Sequence, residues 1–132
     1  LIATDGAGFP NQSQVSGGII NDRLVHPRCF GTSAKFLQIV KDTNNLSLSE
    51  AIHKLTLAPS QAIGLVKRGS IAVGNYADLV IFNPSGISDE ATITNPYRQP
   101  KGIEYVIING MITGQHGVLL NNLSGQFLRK GL

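Results

Sequence analysis

Gly69-Ser70-Ile71-Ala72-Val73-Gly74-Asn75-Tyr76-Ala77-Asp78-Leu79-Val80-Ile81-Phe82 reads as two strands around a glycine turn. Ser70 to Val73 is the first expected strand, Gly74-Asn75 the turn, and Ala77 to Phe82 a second, buried strand that Asn83-Pro84 stops. Asp78, at the entry to that strand, suits a residue that holds the turn through backbone N–H groups. From Val66 onward the chain is therefore expected to be β. Ile103 to Ile108 is another apolar strand, Asn109-Gly110 is a strong two-residue hairpin signal, and Met111 to Thr113 runs back from it. Gly114 to Gly117 makes a further turn before Val118 to Leu120.

Upstream of this region the pattern is helical. Phe36, Leu37, Ile39 and Val40 form an apolar stripe behind the cap candidates Thr32 and Ser33. Ser47-Leu48-Ser49-Glu50 has the spacing of a capping box, and Leu48, Ala51, Ile52 and Leu55 share the face of the helix that follows. Pro59 suits the first turn of a short helix over Ser60 to Ile63 that Gly64 ends. The helical and β regions meet at Gly64 to Gly69, which divides the chain into 1–64 and 65–132. Before the helices, Leu1-Ile2-Ala3-Thr4-Asp5-Gly6 reads as a buried strand ending in a carboxylate. A long loop rich in Gly, Ser and Asn follows it, of a length usually reserved for function.

Composition narrows the classes. With 42% hydrophobic and 14% charged residues the chain is globular rather than disordered, and no apolar run approaches a membrane span. Net charge is +3, and only Lys67-Arg68 and Arg129-Lys130 pair basic residues, without interleaved aromatics. Such a spread fits a solvated surface and speaks against a nucleic-acid partner. Cys29 is the single cysteine, which precludes an intrachain disulfide and points to a reducing compartment, the cytoplasm.

Three places could carry chemistry. Asp5 is either a strand-end carboxylate with a catalytic task or an Asx-turn residue ahead of Gly6. In His26-Pro27-Arg28-Cys29-Phe30-Gly31-Thr32, Arg28 offers a planar fork suited to a carboxylate. The structural alternative has Arg28 capping a helix or pairing with Asp22, and His26 bonded within the loop. Gly31 allows a close approach at the helix start. His53 falls on the surface of its helix, His116 sits alone in a turn, and no His-x-His, Cys-x-x-Cys or His-Glu-x-x-His spacing occurs.

Taken in order, these segments resemble the C-terminal end of the amidohydrolase superfamily. Gly69 to Val80 and Val106-Ile107-Ile108-Asn109-Gly110 are similar to its small β-sandwich domain. The run His26 to Thr32, Asn95-Pro96 and Pro100 to Tyr105 resemble the narrower D-aminoacylase group, which hydrolyses N-acyl-D-amino acids. Phe30 stands where that group more often has Tyr or Trp, and the loop from Asp5 to Arg28 is longer than usual.

The resemblance implies an α/β fragment. Residues 1–64 would be the last strand and helices of a (β/α)8 barrel, and 65–132 part of a composite β-sandwich. By the same resemblance Asp5 shuttles the proton from zinc-bound water to the leaving amine, Arg28 grips the substrate α-carboxylate, and His26 orients the loop. Zinc belongs to the intact parent, with its ligands upstream, so no metal is expected within these residues and the fragment alone is expected to be inactive. The implied partner is a small-molecule N-acyl amino acid, with no nucleic acid and no membrane. Exposed barrel and sandwich edges would favour self-association. Two other functions compete: a hydantoinase- or dihydroorotase-like hydrolase of cyclic amides such as hydantoins or dihydropyrimidines, where a ring without a free carboxylate has no use for a guanidinium clamp, and a non-catalytic structural or interaction β module.

Overall fold

Three turns of one helix organise the interior. In α1 (Arg28–Thr43) the residues Gly31, Ala34, Leu37 and Val40 recur at helical spacing and are buried. The structure, a computed structural model, describes residues 2–6, 19–20 and 23–129. Around that stripe the core gathers Ala51 from α2 (Leu48–Leu55) and Ile87, with Leu55, Phe82 and Ile103 packed against it. α3 (Leu57–Ile63) follows α2 directly.

Local chemistry sets the helix ends. Ser47 Oγ accepts the Glu50 N–H at 3.2 Å, and Glu50 Oε2 accepts the Ser47 N–H at 2.9 Å and its hydroxyl at 2.7 Å, which closes the expected capping box. Asn44 ends α1 in the left-handed region at φ 52°, and Gly64 ends α3 at φ 74°. α1 itself begins four residues before the Thr32 and Ser33 expected to cap it. Pro27, at φ −52°, is already preset for a helix, and Thr32 bonds back into the helix through its hydroxyl, to Arg28 O at 2.8 Å.

The β region is an antiparallel meander. β3 (Leu79–Phe82), β4 (Ile103–Ile108), β5 (Met111–Gln115) and β6 (Val118–Leu119) lie side by side in that order. Leu79 pairs with Ile107, Tyr105 with Gln115 and Gly114 with Leu119. Asn109 and Gly110 turn the first hairpin at φ 48° and 80°, and His116 and Gly117 turn the second at 48° and 78°. Both are positive-φ pairs of the kind that matches strand twist. A separate pair, β1 (Ile19–Ile20) and β2 (Arg23–Leu24), forms within the segment expected to be all loop, most of which lies outside the described residues.

Two expected strands do not form. Ile2 to Gly6 joins neither sheet, and Ala3 to Gly6 are exposed. Ser70 to Val73 is irregular, with Ile71 and Val73 fully exposed, although the turn after it does close through Asn75 N–H to Ala72 O. The reason is the same in both: a strand is stable only when a neighbour takes its N–H and C=O groups, and no described segment pairs with either. β3 forms but is half exposed at Val80 and Ile81 rather than buried.

Acid weakens two of the ties. Hydrogen bonds from Ser47 hold the Glu50 carboxyl below its usual range, and Lys101, followed by Ser88, does the same for Glu90. A carboxyl with a depressed folded-state pKa adds stability above its unfolded value, about 4.5, and loses it as pH falls through the folded value. Thermal melting is therefore expected to shift downward as pH drops below 4.5, and less so in a Glu50→Gln, Glu90→Gln variant. An identical acid response in the variant would contradict the assignment.

Candidate active site

Asp5 and Arg28 meet, although 23 residues separate them in sequence. Arg28 Nε donates to the Asp5 carbonyl at 3.0 Å, and Nη2 lies 3.3 Å from Asp5 Oδ2. The guanidinium thus grips the main chain and the side chain of one residue. Asp5 adopts φ 47°, the left-handed region uncommon for residues other than glycine. Its side chain is 88% exposed and that of Arg28 47% exposed, so the pair opens to solvent and is reachable by a ligand.

Neighbouring groups hold this junction. Gly6 lies so close to α1 that a Cβ there would stand 3.1 Å from Cys29 Cα. The Gly6 N–H is taken by Thr4 Oγ1 at 3.2 Å, so Thr4 rather than Asp5 closes the local turn. Among the described residues Asp5 Oδ1 has no hydrogen-bond partner. His26 accepts the Arg28 N–H on Nδ1 at 3.1 Å, which caps the first turn of α1 and requires the tautomer with its proton on Nε2. Pro27 O takes the Phe30 and Gly31 N–H groups.

Behind the first turn of α1 the segment after β3 packs closely. A Cβ at Gly31 would collide with the Asp89 carboxylate, which explains the glycine in the His26 to Thr32 run. Asp89 is fixed by Gln38 Oε1 on its own N–H at 3.2 Å, and its Oδ1 accepts the Ala91 N–H at 2.9 Å. The Phe30 and Tyr97 rings stack at 4.5 Å, one residue beyond the half-buried Cys29. Sequence reasoning did not single out Asp89 or Tyr97, because only the long-range packing brings them to α1.

The remaining candidates fall elsewhere. Asp78 accepts the Asn109 N–H on Oδ1 at 2.8 Å and pairs through Oδ2 with Arg68, so it anchors the turn between β4 and β5 rather than the Gly74-Asn75 turn beside it. Arg68, expected on the solvated surface, is instead 8% exposed, stacked on Tyr76 at 4.2 Å and bonded to Asn109 Oδ1 at 3.0 Å. His53 is exposed, and His116 pairs with Glu104 at 2.8 Å. A cleft of about 800 Å³ between the helices and the sheet is lined by side chains such as Leu37, Ile52, Leu55, Val80, Ile103 and Val118. It is apolar, and neither Asp5 nor Arg28 lines it, so we read it as unfilled packing surface rather than as the place of chemistry.

Among the described residues no group of three or more His, Cys, Asp or Glu side chains could hold a metal ion, and no helix is long and apolar enough to cross a membrane. Asp5 and Arg28 together place a carboxylate and a guanidinium side by side.

Comparison with known proteins gives a consistent picture. Residues 14–113 match the Amidohydrolase family profile. An N-acyl-D-aspartate deacylase of Alcaligenes xylosoxydans xylosoxydans is 40% identical over 96 residues, covering 72% of this chain and 19% of that enzyme. The crystal structure of a D-aminoacylase, described as defining a novel subset of amidohydrolases, superposes with TM-score 0.77 at 32% identity, over 80% of this chain and 22% of that one. N-acyl-D-glutamate deacylase from Bordetella bronchiseptica, complexed with zinc and a phosphonate mimic of the tetrahedral intermediate, superposes with TM-score 0.65 at 31% identity, over 67% and 19%. The chain spans about one fifth of the length of the curated relatives it matches.

Proposed function

Because the chain belongs to the amidohydrolase family, in its D-aminoacylase group, we propose that it supplies the proton-transfer carboxylate and the substrate clamp of an enzyme that hydrolyses the amide bond of N-acyl-D-amino acids. The observation that carries this reading is the Asp5–Arg28 junction. A carboxylate with one oxygen engaged and the other open can take a proton from an attacking water and return it to the leaving amine. In this reading Asp5 Oδ1 is the oxygen that does so. Arg28 receives the substrate α-carboxylate through its planar donors, as bidentate recognition requires. His26 supports it by capping the turn from which Arg28 projects.

The cofactor in this reading is zinc, the ion present with the Bordetella bronchiseptica enzyme. Among the described residues no group of three or more His, Cys, Asp or Glu side chains could hold that ion, so in this reading the rest of the enzyme supplies ligands to it. Residues 1–64 would then be the end of the barrel and 65–132 part of the composite sandwich. The exposed apolar side chains of β3, β5 and β6 support that placement, since those strands present faces that nothing described covers. The same surface is expected to drive self-association, and a dilute monomer in sedimentation would count against it. As Cys29 is the single cysteine of the sequence, a cytoplasmic location fits this reading.

A hydantoin or dihydropyrimidine ring carries no free carboxylate for Arg28, so linear substrates are favoured. The test is hydrolysis by the full-length protein of paired N-acetyl-D- and N-acetyl-L-amino acids, with metal analysis. Turnover of the D series with zinc bound is expected. Turnover of cyclic amides but of neither linear series would overturn the reading.

A further inference from the structure

The connection between β3 and β4 does more than close the sheet. We propose that Asp89, carried on that connection, is a positioning residue for Arg28: its carboxylate sets the first turn of α1, and so the place from which the substrate clamp projects. The proposal deepens the deacylase reading and rests on it.

The connection is a built element. Its ends are tied by the Asn83 N–H to Gly102 O at 2.8 Å, and Ser88 pairs with Lys101 in an antiparallel bridge. Between these ties it runs along α1 from the last turn to the first. Lys41 Nζ donates to Ile87 O at 3.0 Å, and the Asp89 N–H donates to Gln38 Oε1 at 3.2 Å. Ile87 is 1% exposed and sits in the core beside Ala34, Leu37 and Val40. Farther on, Tyr97 stacks on Phe30 with ring centroids 4.5 Å apart.

Asp89 meets the first turn most closely. A Cβ built on Gly31 would stand 2.0 Å from Asp89 Oδ1, 2.5 Å from Cγ and 2.8 Å from Oδ2, so the carboxylate fills the place of a side chain. The carboxylate is itself held, because Oδ1 accepts the Ala91 N–H at 2.9 Å. Arg28 precedes Gly31 by one turn, about 4.5 Å along the axis, on the same side of the helix. A helical turn is stiff, so what fixes the backbone at Gly31 also fixes the Cα of Arg28. Pro27, at the N-cap, offers no side-chain acceptor to hold that turn. Removing the wedge lets the turn settle toward the vacated space and shifts the guanidinium from its ligand. The loss then falls chiefly on substrate binding.

The experiment measures hydrolysis of an N-acetyl-D-amino acid by the zinc-loaded full-length protein. Wild type, Asp89→Ala and Asp89→Asn are compared, and Asp89→Ala is repeated in an Arg28→Gln background. Zinc content and thermal melting confirm that each variant is loaded and folded. Where saturation is out of reach, kcat/KM from the linear range replaces KM. Gly31→Ala, which presses on the same contact from the other side, is a second variant should Asp89→Ala fail to fold.

Asp89→Ala is expected to raise KM roughly threefold to thirtyfold with kcat within about twofold of wild type. Gly31→Ala is expected to act in the same direction. Asp89→Asn, which keeps the volume and the acceptor for the Ala91 N–H, is expected to stay within about threefold of wild type. In the Arg28→Gln background Asp89→Ala should add less than about twofold, because the residue through which it acts is gone. An unchanged KM in the folded Asp89→Ala variant would overturn the proposal. So would a full Asp89→Ala effect that persists without Arg28, since a merely structural role predicts that result. A loss in Asp89→Asn as large as in Asp89→Ala would overturn the packing route. Wild-type protein without activity on the acid would overturn the deacylase reading itself, a separate outcome.

Discussion

Asp5→Asn in the full-length protein is expected to lower kcat by about 10²- to 10⁴-fold, with zinc content and fold retained. The substitution is nearly isosteric, and the amide oxygen can still stand beside Arg28 Nη2, where Asp5 Oδ2 lies at 3.3 Å now. The backbone contact from Arg28 Nε to the residue 5 carbonyl does not depend on the side chain at all. What the amide cannot do is take a proton from water near neutral pH and hand it on. The loss should therefore appear in kcat and leave KM little changed. Amide hydrolysis under saturating substrate, beside metal analysis, checks it. Turnover near the wild-type value would remove Asp5 from proton transfer.

The largest effect on stability is expected far from this site, at Asp78. Arg68 is 8% exposed, and its charge is balanced by the Asp78 carboxylate. Breaking a buried pair from one side strands the other charge, at a cost of about 3 kcal/mol or more. Asp78→Ala would also free the Asn109 N–H that Asp78 Oδ1 now accepts at 2.8 Å. The hairpin turn between β4 and β5 would lose its anchor, and with it the Asn109 Nδ2 bond to Ser124 O at 2.6 Å, which holds the segment after β6. Urea unfolding is expected to show this destabilisation for Asp78→Ala, and less than the sum of the single losses for Asp78→Ala with Arg68→Leu. A loss below about 1 kcal/mol for the single variant, the size of a surface pair, would contradict a buried network.

These two sites show why parts of the fold are legible in sequence and parts are not. Asn109-Gly110 reads correctly because a two-residue turn with positive φ is decided by those two residues. Ser47 to Glu50 reads correctly because both capping bonds close within four residues. Ser70 to Val73 misleads because its alternation is that of a strand, yet a strand also needs a partner that nothing described provides. Ile2 to Asp5 misleads in the same way. Arg68 looked like surface charge because the ion pair that buries it spans ten residues and a turn.

The site divides similarly. Asp5, Arg28 and His26 stand out by residue type and by resemblance, but no periodicity could place Asp5 against Arg28 across a long loop. Their meeting is a product of the chain path, in which Gly6 lies against the first turn of α1. The Asp89 carboxylate over Gly31 is equally invisible, because it depends on where the segment after β3 returns. What the sequence showed there was only the glycine.

The central claim is that Asp5 and Arg28 act together on one substrate, the first at its amide and the second at its carboxylate. A structure of the full-length protein with a phosphonate mimic of the tetrahedral intermediate, made from an N-acyl-D-amino acid, tests it most directly. The account predicts the ligand carboxylate on Arg28 and a phosphonate oxygen within hydrogen-bond distance of Asp5. A ligand whose carboxylate is held by another cation, with Asp5 and Arg28 away from it, would contradict the account.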